Sequence, residues 1–540
     1  MIQMYLSKND YVYDVQGLCQ SFYPWETIQV QVIEVKLAQA EWEQEVENLI
    51  TNPKQENSTA YVSADGRQLD ERLRNVKVWL GESAVSVGLQ EGAKQVRYEE
   101  MVCGPDRRSY KNAIKKSLYQ ALSAATGKQL PWGTLTGVRP TKLIMECLEV
   151  GMSEQDIYTH MKRQYFCTEE KTKLGYTIAK QEWDLLQAIS YQEGYSLYIG
   201  IPFCPTRCAY CSFPSYPMEQ FGSLMDSYLE ALEKEMVYGA TMFQNKKLSS
   251  IYIGGGTPTT LEPEQLQRLL QMVKKYFPVE EAMEWTVEAG RPDTVNAEKL
   301  KILKHMGVTR ISINPQTMQE DTLQRIGRQH TVKEIVDIFH LARKLGHDNI
   351  NMDLILGLPG EDAEAVEDTL NQIAALDPDN LTVHSLVLKR AARLNVDRVN
   401  ADVMQSYQTG TEQHTVYVMD TEANKMAKIT ENYAVTHGYL PYYMYRQKNT
   451  TGSDGDSREN IGYAKPGKAC IYNVLIMEEK QSILALGAGA SSKFLLSQGK
   501  KKLERVENVK SVTDYIARIE EMIQRKEVFR KQHEEAFGVK

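Results

Sequence analysis

The sequence predicts an α/β protein built around a partial (βα)6 TIM-like barrel, with an α/β N-terminal domain before it and a mainly helical C-terminal domain after it. Three observations predict this. Between Tyr195 and about Leu388, the short apolar runs SLYIGI, SIYIGG, EWTVEA, TRISIN, NINMDLIL and LTVHSL alternate with segments long enough for crossover helices, such as Leu224 to Phe243 and Pro263 to Phe277. Six such units in series argue for a parallel sheet with right-handed crossovers. Upstream, IQVQVIEVKLA, TAYVSA, NVKVWL and AVSVGLQ alternate at the two-residue period of half-buried strands. Near Tyr110 to Ala125 the spacing becomes helical.

In chain order, residues 1–127 read as an α/β accessory domain. LPWGTLTGVRPTKL is rich in turn formers and opens a helical region over 128–193. Residues 194–388 form the barrel. Residues 389–540 begin with the basic run LKRAARLN and continue through helices, a Tyr-rich segment YLPYYMYRQKN, a polar loop and a charged C-terminal helix. This last region is expected to cover the substrate.

Composition bounds the function. Of 540 residues, 42% are hydrophobic and 25% charged, ordinary values for soluble domains. Sixty-three basic residues face 71 acidic ones, a net charge of −8. That balance argues against a protein whose main task is coating nucleic acid. No apolar run reaches the roughly 18 residues of a membrane span, and the N-terminus lacks the pattern of a secretory leader. A cytoplasmic location is expected. The basic stretch Asp106 to Lys116 reads as a solvated helix face.

Eight cysteines are present. Cys19, Cys103, Cys147, Cys167 and Cys470 are scattered and read as small buried apolar residues. The other three lie in IPFCPTRCAYCSF, just after the first barrel strand. Three residues separate Cys204 from Cys208, and two separate Cys208 from Cys211. Thiolates hold iron–sulfur clusters, usually four at a time. Three thiolates on a four-iron cube leave one iron open to a further ligand. Structural zinc, completed by Cys470 or a histidine, is the alternative.

Functional residues of such barrels collect at the C-terminal ends of the strands. GGGTPTTL follows the second strand, where glycines allow close approach of backbone to a ligand. Glu288 ends the third strand, Gln316 follows the fourth, Arg328 lies twelve residues further on, and Asp353 sits in the fifth. Singly, each is a surface or salt-bridge group. Together they suit an amino acid and a ribose, because carboxylates accept from hydroxyls or ammonium and arginine pairs with a carboxylate.

The run YIGIPFC, GGGTPTTL, VEAGRPD, Gln316 with Arg328, and DLILGLPGE resembles the oxygen-independent coproporphyrinogen III dehydrogenase group of radical SAM (S-adenosylmethionine) proteins. GYAKPGKACIYNV and LALGAGASSK are similar to that group's C-terminal region, and GVRPTKL to its HemZ-like branch. The resemblance implies a 4Fe-4S cluster on Cys204, Cys208 and Cys211 and a bound S-adenosyl-L-methionine. Reductive cleavage of SAM would yield a 5′-deoxyadenosyl radical. It implies that Tyr198 packs beside SAM, and that Gly255, Gly256 and Thr257 contact the methionine part. Glu288, Gln316, Arg328 and Asp353 would fix the ribose and carboxylate. The implied reaction is oxidative decarboxylation of two propionates of coproporphyrinogen III in heme biosynthesis, with an electron donor such as flavodoxin or ferredoxin.

A substrate with four carboxylates asks for cations, and Lys389, Arg390, Arg393 and Arg446 are the candidates. Radical modification or degradation of heme, and heme binding or trafficking without turnover, are the alternatives. Two departures from the family bear on them. Phe213 stands where the best-known decarboxylating branch has a further cysteine. Tyr472 to Met477, YNVLIM, stands where the heme-chaperone branch has HNxxYW.

Overall fold

Alternating apolar residues pair into two large sheets, beside one short two-stranded pair, in the computed structural model. It describes residues 1–24, 26–34, 38–51, 74–92, 94–102, 104, 106–189, 191–387, 415–447, 459–496 and 502–537. The chain divides into two compact units. One is formed chiefly by Met1–Tyr176, the other by Thr177–Ala401, Thr421–Tyr445 and Glu459–Lys540. The division falls within the helix Glu169–Ala188, so the region expected at 128–193 contributes to both.

In the first unit, strands β1 (Ile2–Leu6), β2 (Ile28–Val32), β3 (Arg74–Leu80), β4 (Ala84–Glu91) and β5 (Lys94–Met101) form a mixed sheet of order β2-β1-β3-β4-β5. Ile2, Met4, Leu6, Val76, Val78, Val85 and Val87 share a core with helices Val12–Phe22 and Arg107–Thr126. The second of these starts where the Asp106 carboxylate accepts the Arg108 and Ser109 backbone N–H groups. Gly127, at φ 71°, ends it. Its basic residues are paired. Lys111 reaches Asp14 at 2.6 Å, Arg108 reaches Glu146 at 2.9 Å, and buried Lys115 donates to Thr136 at 2.7 Å. The stretch is thus a set of local pairs rather than a free basic patch.

The second unit contains β6 (Gly194–Ile201), the short pair β7 (Phe203–Cys204) and β8 (Tyr216–Pro217), β9 (Lys247–Gly255), β10 (Glu284–Glu288), β11 (Arg310–Ser312), β12 (Ile350–Leu356) and β13 (Asn380–Ser385). All six expected strands are present. They lie parallel and in chain order, β6-β9-β10-β11-β12-β13, and no pairing joins β6 to β13 among the described residues. This is the expected series of βα units without closure.

The strand register sorts the side chains by face. Leu197, Ile199, Ile251, Ile253, Val287, Ile311, Met352 and Leu381 are fully buried or nearly so in one apolar core. The alternate positions carry Tyr198, Tyr252, Thr286, Glu288, Arg310, Ser312, Asn351, Asp353 and Thr382. Tyr198 pairs in register with Tyr252, Thr286 with Arg310, Ser312 with Asn351, and Asp353 with Thr382. Side chains alternate strictly along a strand, so one face of the sheet is greasy and the other polar. A polar face on a buried sheet is costly unless its groups find hydrogen-bond partners, and here Tyr252 bonds Glu288, Asn351 bonds Asp353 and Thr382 bonds Asn351.

The C-terminal region corrects one expectation. Its helices Thr415–Thr436, Ile471–Glu478, Val512–Ala517 and Ile519–Gln532 are accompanied by β14 (Leu440–Arg446), β15 (Glu459–Ala464), β16 (Ser482–Leu486), β17 (Ser491–Leu496) and β18 (Lys502–Glu507). These strands do not build a separate layer. β16 extends the sheet in parallel from β6, and β15 extends it antiparallel from β13. No helix among the described residues is long and apolar enough to cross a membrane.

Candidate functional site

The cysteine loop leaves the sheet at the C-terminal end of β6, and several backbone bonds hold it there. The Cys211 N–H donates to the Cys208 carbonyl at 3.1 Å, and the Ala209 N–H to the Ile326 carbonyl at 3.0 Å. The Tyr216 N–H closes the loop on the Pro202 carbonyl at 2.9 Å. All three thiols are partly buried. Burial pushes the Cys204 thiol up to about 11, and the nearby Cys211 and Cys208 sulfurs add to the rise against a Thr257 hydroxyl bond at 3.5 Å. Burial also raises Cys211. A bound metal must therefore displace protons from these sulfurs.

The residues present fit an iron–sulfur cluster. The donors are thiols alone, with no carboxylate or imidazole among them, and the chain approaches them closely. A Cβ on Gly256 would lie 2.5 Å from the Phe203 carbonyl oxygen and 3.0 Å from the Cys204 sulfur. Only glycine fits there. The zinc alternative loses one of its two expected fourth ligands, because Cys470 is fully buried and its thiol donates to Glu284 Oε1 at 3.2 Å. Among the described residues, no group of three His, Cys, Asp or Glu side chains is gathered to hold one ion, the three cysteines included; a four-iron cube does not ask for that, because each thiolate binds a different iron.

Beside the loop, Gly255 adopts φ 117°, a conformation that favours glycine. The N–H groups of Gly256 and Thr257 donate to the Ile201 and Phe203 carbonyls at 2.8 and 2.7 Å. Gly256 can thus offer a ligand its carbonyl, not its N–H. Tyr198 packs against a pair of tyrosines, its ring centroid 6.2 Å from both Tyr252 and Tyr472. Tyr252 and Tyr472 stack at 4.6 Å. The Tyr252 hydroxyl donates to Glu288 Oε1 at 2.6 Å. Burial raises the Glu288 carboxyl to about 7; the Tyr252 bond opposes this and the Asp353 charge adds to it.

Gln316 has φ 71°, unusual for a residue with a Cβ. Its backbone is clamped onto β12, its N–H on the Asp353 carbonyl and its carbonyl on the Ile355 N–H, both at 2.9 Å. Such strain persists only where the surroundings impose it, and it marks functional sites. Asp353 accepts from Asn351 Nδ2 at 2.7 Å, and Asn314 Oδ1 accepts its backbone N–H at 3.2 Å. Arg328 is buried, donates to the Asn314 carbonyl and, at 3.1 Å, to the Tyr210 hydroxyl. Its buried Nε has no hydrogen-bond partner among the described residues. An orphaned guanidinium donor is suited to a ligand carboxylate.

Three residues of the site escaped the sequence reading: Tyr252, Tyr472 and Asn314. Tyr252 was findable, since it shares Tyr198's phase in its strand. Tyr472 was not, because only the tertiary fold brings its helix under β9. Of the candidate substrate cations, Lys389, Arg390 and Arg393 lie outside the described residues. Arg446 belongs to the first unit, where its backbone N–H reaches the Val138 carbonyl at 2.7 Å and its guanidinium the Leu135 carbonyl. Phe213 is 66% exposed.

Residues 198–373 match the model of the radical SAM superfamily. The chain is 40% identical over 417 residues to the oxygen-independent coproporphyrinogen-III oxidase-like protein HemZ of Bacillus subtilis, covering 76% of this chain and 79% of that protein. It is 42% identical over 195 residues to the heme chaperone HemW of the same organism, covering 36% of this chain and 51% of the chaperone. Among solved structures, coproporphyrinogen III oxidase (HemN) of Escherichia coli aligns with a TM-score of 0.46 at 22% identity, over 63% of this chain and 72% of that one. With 40% identity over most of both chains, the protein belongs to the radical SAM superfamily and, within it, to the HemZ-like branch of the oxygen-independent coproporphyrinogen III oxidase group.

Proposed function

We propose that the protein is a tetrapyrrole-modifying radical SAM enzyme whose substrate is coproporphyrinogen III, which it converts to protoporphyrinogen IX by oxidative decarboxylation of two propionates. The observation that carries this reading is the polar face of β6 to β13, opening on a loop of three thiols, in a chain 40% identical to a coproporphyrinogen-III oxidase-like protein. Cys204, Cys208 and Cys211 would hold the cluster, and the face below it would hold SAM. When bound, the pair supplies a hydrogen-abstracting agent by one-electron reduction of SAM.

The chain's own residues do the positioning. Tyr198, held in the tyrosine stack, presents a flat ring for the adenosine part. Glu288, oriented by Tyr252, accepts ribose hydroxyls, and Asp353 stands on the same face for the same task. The free Nε of Arg328 pairs with the methionine carboxylate, and Gly256 offers its carbonyl to the ammonium. Gln316, locked at positive φ, sets the distance between these groups. The closed site must keep weak hydrogen donors other than the substrate away, so that the abstracting agent is not spent in side reactions.

Anaerobic reconstitution with iron, sulfide, SAM and a reductant tests the reading. Coproporphyrinogen III and hemin are supplied separately and products identified by mass spectrometry. Substrate-dependent 5′-deoxyadenosine with decarboxylated porphyrinogen is expected. Efficient turnover of hemin without any decarboxylated porphyrinogen would overturn it. Tight hemin binding with no turnover of either compound would assign a heme-handling role instead.

A further inference from the structure

The loop that follows β10 carries a charge that the SAM site does not use. Arg291 is 3% exposed. Its Nε and Nη2 donate to the two oxygens of Asp293 at 3.0 and 2.7 Å. Its remaining corner, Nη1, turns to the cysteine loop, where it meets the Thr206 carbonyl at 3.2 Å, the Thr206 hydroxyl at 3.0 Å and the Cys208 sulfur at 3.8 Å. One guanidinium thus grips the loop at two residues while a carboxylate orients it from behind.

We propose that Arg291 is a positioning residue for the iron–sulfur cluster, fixing Cys208 and raising the cluster's reduction potential by turning a buried guanidinium corner on that sulfur. This rests on the cluster reading above. Reduction adds one electron, and so one negative charge, to a group already carrying three thiolates. A donor and a positive charge beside a ligand sulfur stabilise the reduced form more than the oxidised one. Burial strengthens the effect, since little water screens it. Asp293 weakens it, but from the far side of the guanidinium, so the positive end still faces the sulfur. Among the described residues, Arg328 also senses Cys208, Arg207 senses Cys211, and the buried His330 ring lies behind Asp293, Nδ1 to Oδ1 3.6 Å. Removing Arg291 and removing the charge of Asp293 should therefore move the potential in opposite directions, an outcome that a merely structural tie does not produce.

The experiment is a redox titration of the anaerobically reconstituted full-length protein without SAM, with the reduced cluster read by electron paramagnetic resonance. Wild type is compared with Arg291→Met, Arg291→Lys and Asp293→Asn. For Arg291→Met, the ratio of reduced to oxidised cluster at the wild-type midpoint should fall roughly tenfold, a downward shift of about 59 mV for a one-electron couple. Arg291→Lys should lie between, and Asp293→Asn should shift upward. Variants that load less iron are read on their loaded fraction, so a loading defect does not mask the shift. Midpoints that coincide with wild type, or that move together in Arg291→Met and Asp293→Asn, would overturn the inference. A wild-type protein that takes up no four-iron cluster would instead overturn the reading beneath it.

Discussion

At Glu288, burial and the Asp353 charge work against ionisation, and the Tyr252 hydroxyl works for it. Its carboxyl titrates near 7, in the range where an enzyme operates. The ionised form is the better acceptor of ribose hydroxyls. SAM affinity of the cluster-loaded protein should therefore rise with pH through about 7, measured by calorimetry. Tyr252→Phe removes a bond to a charged group, a loss of about 1.5–3 kcal/mol. It should weaken SAM roughly tenfold or more and move the pH midpoint upward. The stability consequence has the reverse sign. The folded value lies above the ordinary carboxyl value of 4.5, so this contribution is complete below that value and is lost as pH rises through about 7. Urea midpoints of the cluster-free protein should show this loss, and Glu288→Gln should flatten it. Glu288 itself was legible as a strand-end carboxylate. Its tuning was not, because Tyr252 and Asp353 reach it only across the sheet.

At the scale of elements, the glycine turn after β9 and the cysteine loop after β6 form one unit. Gly256→Ala would drive a Cβ into the Phe203 carbonyl and the Cys204 sulfur. Neither can move without dragging the loop, so iron content per chain should fall severely while far-ultraviolet circular dichroism keeps its amplitude. Retained iron would refute the idea that this close approach matters. Parallel strands buried on both faces have compact apolar runs between helices, which is why all six core strands were readable. The edge strand β5, KQVRYEEM, was not, because most of its side chains face water and its apolar signal is weak. β14 to β18 were blurred for a different reason. Short strands separated by turns and polar loops carry little periodicity of their own.

At the scale of the second unit, a buried ionic network ties the C-terminal helix to the start of the large sheet. The Lys526 ammonium, fully buried, reaches Glu235 at 2.6 Å and Asn508 Oδ1 at 2.7 Å. Glu235 also accepts from Asn508, the Gly487 N–H and Tyr515. Through the same turn, the Tyr228 hydroxyl donates to the Gly200 carbonyl at 2.6 Å and accepts the Ala488 N–H. Gly200 lies four residues before Cys204. Lys526→Met leaves Glu235 charged and short of its counterion, which should cost about 3–5 kcal/mol in urea unfolding. Pairing it with Glu235→Leu should recover part of that loss, since two apolar residues leave no unpaired charge. A single and a double variant of equal stability would argue against a coupled pair.

The sequence by itself determined the chemistry available to this protein: three thiols at fixed spacing, glycines where a ligand must approach, and acids and an arginine at successive strand ends. Those features are local, and spacing along the chain carries them. Only the tertiary structure decided how they work together. It put the polar phase of six strands on one face and stacked Tyr472 from a distant helix onto Tyr252. It also removed Cys470 from the metal question and turned Arg291 onto Cys208. The physical reason is that charge and burial act through space. A carboxyl near 7 and an orphaned guanidinium donor arise from neighbours that lie far apart along the chain.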